Sequence, residues 1–249
     1  MTKHSLWQEW EKWQGAPYVW VDLSRTVSPQ TAHWSGFKDM DTKKLFDYDD
    51  GFFVEEYTMV SQYGTHIDAP CHFAKGTRSL DEIRPVETVL PLCVVNVADK
   101  VARDDDYEVG VQDFLDWEAV HGRIPEKAFV ALRTDWSKRP DDQLDNPDEE
   151  GQKHYPGWSL EALTFLVEER NVAAVGHETS DTDSAVGAVK NNFACEYYIL
   201  AQNRYQVELM VHLSELPPTG ALIFTGFPKM KDGPGFTARC LALYRQDEK

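Results

Sequence analysis

The stretch from Val54 to Phe73 constrains this chain more than any other part of it. Val54, Tyr57, Thr58 and Val60 are strand-forming residues with no breaker among them, and Thr65 to Ala69 reads as a continuation. In such a strand His66 and Asp68 point to one side, because side chains alternate with period two. Pro70 fixes its own φ and drives Ala69 toward extended geometry, so the strand ends there and His72 leaves from a rigid turn. Gly64 permits a bulge or a close backbone approach, which lets Gln62 turn its amide oxygen onto the face of His66 and Asp68. An imidazole nitrogen and a carboxylate oxygen on one face reach a single cation at about 2.0–2.2 Å each. The same residues also read as a core histidine and a surface histidine in a β-rich chain, and spacing alone leaves both readings open.

Gly64, Thr65, His66, Asp68, Pro70 and His72 together form a pattern. It resembles the metal-binding signature of the cyclase family of metal-dependent hydrolases, His-x-Gly-Thr-His-x-Asp-x-Pro-x-His. That family includes bacterial kynurenine formamidases and isatin hydrolases. Gln62 stands where the family usually has its first histidine. The resemblance implies that Gln62, His66 and Asp68 hold a metal, and that a helical histidine and a glutamate twelve residues later complete the site, often for a second ion. Glu196 stands at that histidine position and Glu208 at the glutamate position. Both also read as ordinary surface charges, on a helix and on an edge strand. Carboxamide and carboxylate oxygens are harder donors than imidazole, so these departures tilt the expected ion from zinc toward manganese, with magnesium also admitted.

Two shorter matches accompany the signature. Asp22-Leu23-Ser24 lies near the start, and Gly176, Thr179 and Asp183 fit a Gly-Ile-Asp-Thr segment with a later Asp. There Glu178 replaces Asp and His177 replaces an apolar residue; His177 is either a second catalytic group lining the site or a satisfied histidine at a strand end. The likeness in spacing runs from about Val21 to Leu243. It implies the swivelling β/β/α fold of the cyclases, and a homodimer or homotetramer.

Composition bounds the function classes. With 42% hydrophobic and 12% aromatic residues the chain is that of a folded protein. A formal charge of −17, from 25 basic and 42 acidic residues, argues against nucleic acid or an anionic membrane as partner. Cys71, Cys93, Cys195 and Cys240 are far apart and form no Cys-x-x-Cys pair, so reduced thiols are expected. No apolar run approaches roughly 18 residues and no signal-peptide core is visible, which leads us to expect a soluble, cytoplasmic protein.

In chain order, residues 4–14 place Leu6, Trp7, Trp10 and Trp13 at spacings of three and four, an amphipathic helix expected to dock on its own domain or, alternatively, to cover a second subunit. We expect one α/β domain over 1–249, β-rich with peripheral helices: residues 1–17 form the aromatic N-terminal helix and 18–249 the core. Thr26 to Phe53 reads as a long loop of the kind used as a lid or substrate wall. Its Trp34 and Phe37 are candidates for an aromatic substrate pocket, or rings that pin the loop to the core. Leu90–Val97, Ala128–Arg133 and Val172–Gly176 read as buried strands; Ala221–Phe227 and Ala238–Tyr244 read as the last two, joined by a Gly/Lys/Pro-rich connection. Residues 137–151 carry six acids and two prolines and read as a solvated insertion without the EF-hand pattern.

The expected chemistry is hydrolysis of an amide, formamide or lactam of a small aromatic or cyclic substrate by a cation-activated water. His72 lies beyond Pro70, off the alternation of His66 and Asp68, and an imidazole titrates near neutral pH, so it is expected to shuttle the proton. Two other readings stand beside this one: a metal-dependent lyase or dehydratase, and a non-catalytic metal- or ligand-binding relative.

Overall fold

The structure, a computed structural model, describes residues 4–248. Its strands in chain order are β1 (Tyr18–Asp22), β2 (Asp41–Phe46), β3 (Val54–Thr58), β4 (His66–Asp68), β5 (Val89–Asn96), β6 (Glu108–Val109) and β7 (Phe129–Arg133). They continue as β8 (Gly157–Trp158), β9 (Ala174–His177), β10 (Tyr205–Glu208), β11 (Ala221–Gly226), β12 (Gly235–Thr237) and β13 (Arg239–Arg245). The helices are α1 (Ser5–Trp13), α2 (Ala98–Val101), α3 (Val111–His121), α4 (Leu160–Thr164), α5 (Ala185–Asn191) and α6 (Ala194–Ala201).

Nine strands form one sheet in the order β1-β13-β11-β5-β7-β9-β10-β4-β12. Its centre, β5-β7-β9-β10, is parallel, and the flanking pairs are antiparallel. Only Ala238 separates β12 from β13, yet one lies at the far edge and the other beside β1. One continuous segment therefore serves both ends, and the sheet curls back on itself. Leu23, just past β1, tightens the closure by donating to Cys240 O (2.8 Å) and accepting from Val211 N (3.0 Å).

Alternation along the strands splits the apolar residues into two cores. Leu92 and Val94 of β5, Phe129 and Ala131 of β7, Ile67 of β4 and Val207 of β10 fill the inside of the curl. Cys93, Val95, Val130 and Leu132 face outward, where Phe114 and Trp117 of α3, Leu163 of α4 and Ile199 of α6 cover them. Gly176 in β9 is required by this packing: a Cβ there would lie 2.6 Å from both the Phe129 ring and Met210 Sδ. Because Ile67 and Val207 point inward, period two sends His66, Asp68, Gln206 and Glu208 to the outer face.

The structure corrects three expectations. The segment expected as one long loop is a loop only to Met40; Asp41–Phe46 then pairs with β3 as a separate two-stranded sheet. All six β2 residues are exposed, so the strand carries no alternation to read. The connection before β13 contains β12, whose three residues complete the far edge of the main sheet. Helix α1 docks through Trp13, whose ring lies 6.4 Å from Phe224 and whose carbonyl accepts Trp20 Nε1 at 2.9 Å. Leu6, Trp7 and Trp10 remain exposed at 80%, 66% and 52%. Among the described residues no helix is long and apolar enough to cross a membrane.

Candidate metal centre

The sheet order brings together residues far apart in sequence. β4 lies between β10 and β12, with His66 opposite Glu208 on one side and Thr237 on the other. Asp68 is opposite Gln206 and Gly235. Helix α6 crosses above, and the Asp183 carboxylate accepts the amides of Cys195 (3.1 Å) and Glu196 (2.9 Å) in its first turn. This cap aims the buried Glu196 side chain at Asp68. Two groups with metal-ligand spacing result, His66–Asp68–Glu208 and Asp68–His72–Glu196, sharing Asp68.

The chemistry of these atoms fits a cation. His66 Nδ1 faces Gly64 O at 2.8 Å, so it carries the proton and Nε2 presents a lone pair. That lone pair lies 3.3 Å from Glu208 Oε2 and 3.6 Å from Asp68 Oδ2, an acceptor facing two acceptors. A positive charge must stand between them. In the protein alone a proton fills this role: burial opposes charging of His66, but Asp68 and Glu208 outweigh it and raise its pKa well above the ordinary imidazole value. Burial likewise opposes ionisation of Asp68, yet His66 and His72 pull its pKa below the ordinary value. Asp68 Oδ1 is buried and has no hydrogen-bond partner.

The remaining carboxyl groups are crowded against this cluster, which disfavours their ionisation. Burial, then Glu208 and Asp68, push the pKa of Glu196 well up. Burial and then Glu208 push Asp181 up to about 8, although Tyr155 donates a hydrogen bond to it. Gln206 relieves part of the crowding: the two hydrogens of its Nε2 are shared among Glu196 (2.7 Å), Glu208 (3.0 Å) and Asp68 (3.2 Å), and its Oε1 accepts from Thr182 Oγ1 (2.6 Å). One amide cannot satisfy three carboxyl groups, and the donor set of one imidazole nitrogen and several oxygens suits a divalent ion.

Above these groups lies a cavity of about 230 Å³. Trp34 and Phe37, 5.0 Å apart, line one part of it, and Phe73 and Phe193, 6.1 Å apart, line another. His72 also lines the cavity, with its side chain 29% exposed and its Nε2 4.0 Å from Asp68 Oδ1. Gln62 reaches the cavity too, but its Oε1 accepts from Ser61 Oγ and its Nε2 faces His72 Nδ1 at 3.4 Å. Its oxygen is thus turned toward Ser61. His177 is buried behind Glu208 and does not line the cavity. Trp158 Nε1 donates to His177 Nδ1 (3.2 Å), which leaves the proton on Nε2, 3.3 Å from Glu208 Oε1 but outside hydrogen-bond geometry.

Sequence reasoning passed over several of these residues. Gln206 had a signal, since it lies two residues before Glu208 and shares its strand face. Phe193 had none: it sits between α5 and α6 with φ +56°, a left-handed conformation unusual for an aromatic residue. Tyr63, inside the signature, is fully buried, and its hydroxyl contacts Ser28 O, Pro29 O and Met40 N at the base of the Trp34 loop.

Comparison with known proteins places the chain in a family and a fold. Residues 21–184 match the family model described as "Putative cyclase". The isatin hydrolase of Roseibium aggregatum is 30% identical over 209 residues, 80% of this chain and 78% of the relative. Among solved structures, isatin hydrolase A from Labrenzia aggregata bound to benzyl benzoate superposes with a TM-score of 0.91 at 32% identity, covering 97% of this chain and 100% of the other. An isatin hydrolase bound to the product analogue thioisatinate gives 0.88 at 25% identity, covering 98% and 100%. The outward-facing histidine and carboxylates of β4 and β10 are thus carried on a shared fold, and the chain belongs to the cyclase family.

Proposed function

We propose that this metal-dependent hydrolase opens an aryl or cyclic amide, of the lactam or formamide kind. One observation carries the reading: the His66 lone pair confronts Asp68 and Glu208 oxygens at the floor of an aromatic-walled cavity. His66, Asp68 and Glu208 would hold the ion, with Gln206 orienting the carboxylates. A divalent cation held there lowers the pKa of water from about 15.7 to about 7 and polarises a carbonyl oxygen. Water adds across the C–N bond, the acyl carbon gains its oxygen, and the leaving nitrogen takes a proton. His72, partly exposed at the cavity, is positioned to accept that proton from water and deliver it to the nitrogen.

Trp34 and Phe37, with Phe73 and Phe193, supply flat apolar walls that suit a planar substrate. The aromatic ligands of the related isatin hydrolase structures support this substrate class. The oxygen-rich donor set favours manganese over zinc. A second reading comes from the Asp68–His72–Glu196 group, which would hold a second ion and make His72 a ligand. The four free cysteines and the acidic surface fit a soluble cytoplasmic enzyme, and the exposed Trp7 and Trp10 suit a homo-oligomer.

Elemental analysis of the purified protein, paired with turnover on a panel of aryl amides, lactams and aryl formamides, tests the proposal. Bound manganese or zinc with chelator-sensitive turnover is expected. Metal without turnover on any member would instead identify a binding relative.

A further inference from the structure

The acidic insertion at residues 137–151 lies outside the cavity, yet it is fastened to the loop that carries Trp34 and Phe37. Asp141 forms an ion pair with Arg25 through Oδ1, and its Oδ2 accepts Ala32 N at 2.9 Å. Lys153, just past the insertion, donates to Ser35 Oγ (2.8 Å) while paired with Asp145 (2.7 Å). Tyr63 closes the two ends of the loop at Ser28–Pro29 and at Met40. Between those ends, the fastening comes from the insertion at Ala32 and from Lys153, anchored on the insertion's Asp145, at Ser35.

The insertion has a firm root. Glu178, next to His177, accepts hydrogen bonds from Thr134 N (2.7 Å), Thr134 Oγ1 (2.8 Å) and Ser137 Oγ. Arg25 makes the tie directional. Its side chain is only 6% exposed, and its Nε and Nη2 have no hydrogen-bond partner. A buried guanidinium needs its counter-charge, so Asp141 cannot swing away without stranding it. Burial lowers the Arg25 pKa, and Asp141 and then Glu178 oppose that shift.

We propose that the insertion is a clamp in which Asp141 and Lys153 are positioning residues: they hold the Trp34–Phe37 wall over the cavity and thereby set affinity for a flat substrate. The clamp touches no reacting atom. Its consequence for affinity rests on the proposed reading of the cavity as the substrate site; its consequence for loop order does not.

Asp141→Asn and Lys153→Met, made separately in the full chain, test both parts. The first readout is hydrogen exchange of the Ala32 and Phe37 amides, the latter bonded to Trp34 O at 2.9 Å. The second is KM and kcat on an aryl amide and on a small amide without a ring. The clamp predicts exchange roughly tenfold faster and an aryl-amide KM about tenfold higher, the scale of one charge-assisted hydrogen bond. Metal content, kcat and the KM of the ringless amide should stay unchanged. Unchanged exchange in both variants overturns the proposal, as does a fall in kcat with equal KM changes on the two substrates. Should Asp141→Asn fail to fold, Lys153→Met decides, because it leaves Arg25 paired. If no aryl amide is a substrate, the proposed function fails and exchange alone decides the clamp.

Discussion

Gly235→Ala should loosen the metal site while leaving the fold intact. Gly235 faces Asp68 across the β12–β4 pair. A Cβ there would lie 2.7 Å from Gln62 Nε2, 2.7 Å from Ile67 O and 2.9 Å from Asp68 Oδ1. Ordinary carbon contacts begin at about 3.5 Å, so relief needs a displacement of roughly 0.8 Å. Gln62 can rotate away, but Ile67 belongs to β4, which is held between β10 and β12. The remaining escape is for β12, an edge strand, to move out and for Asp68 to turn. Such overpacking costs about 1–3 kcal/mol of stability. Metal sites tolerate displacements of only about 0.2 Å, and disturbing the residues around ligands typically costs 10–100-fold in affinity, so about 1.4–2.8 kcal/mol is expected here. Competition against a chelator with manganese and with zinc reads the affinity, and denaturant unfolding of the metal-free protein reads the fold. Wild-type affinity in a normally folded Gly235→Ala protein would refute the placement of Asp68 at the centre of the site.

Three further outcomes are expected. His72→Ala should keep its metal and fold but lose about 10²–10⁴-fold in turnover, as removal of a positioned acid–base group does; loss of metal content would make His72 a ligand. Gln62→His should shift occupancy toward zinc in a manganese–zinc competition, and unchanged preference would show that position 62 does not reach the ion. The metal-free protein should lose stability as pH rises. Asp181 has an ordinary value of 3.8 and is pushed up to about 8, so between those values the folded state binds more protons than the unfolded state. The raised Glu196 acts in the same direction, and the raised His66 adds to it above about pH 6.5. Each titrating group contributes a slope of up to about 1.4 kcal/mol per pH unit. Melting temperatures should fall from pH 5 to 8, less so in Asp181→Asn; a flat or rising profile in the metal-free wild type contradicts this.

Some of the site was legible in the sequence, for a physical reason. His66 and Asp68 share a face because they flank one inward-pointing isoleucine, and Pro70 ends the strand after them. That is local information. Partners of that face are not local: His66 meets Glu208, and Asp68 meets Gly235, through the strand order β10-β4-β12, and no periodicity encodes strand order. Spacing within the family pattern pointed to Glu208, while Gln206, two residues earlier on the same face, needed only the same alternation. The exposed β2 has apolar and polar residues on two wet faces, so it leaves no pattern. β12 is three residues long and begins at a glycine whose value lies in the space it leaves for Gln62 and Asp68. The stripe on α1 was readable as amphipathic, but an apolar stripe does not state what covers it; Trp13 packs on Phe224 while Leu6, Trp7 and Trp10 stay exposed.

The central claim is that the cation held near His66, Asp68 and Glu208 directs water onto an amide carbonyl. Turnover of an aryl lactam by the manganese-loaded protein in ¹⁸O-water measures this most directly. The account predicts one ¹⁸O atom in the new carboxylate of each product molecule, lost together with turnover when His66→Ala or Asp68→Asn removes the metal. Product formed without solvent oxygen would contradict it and make the reaction an elimination.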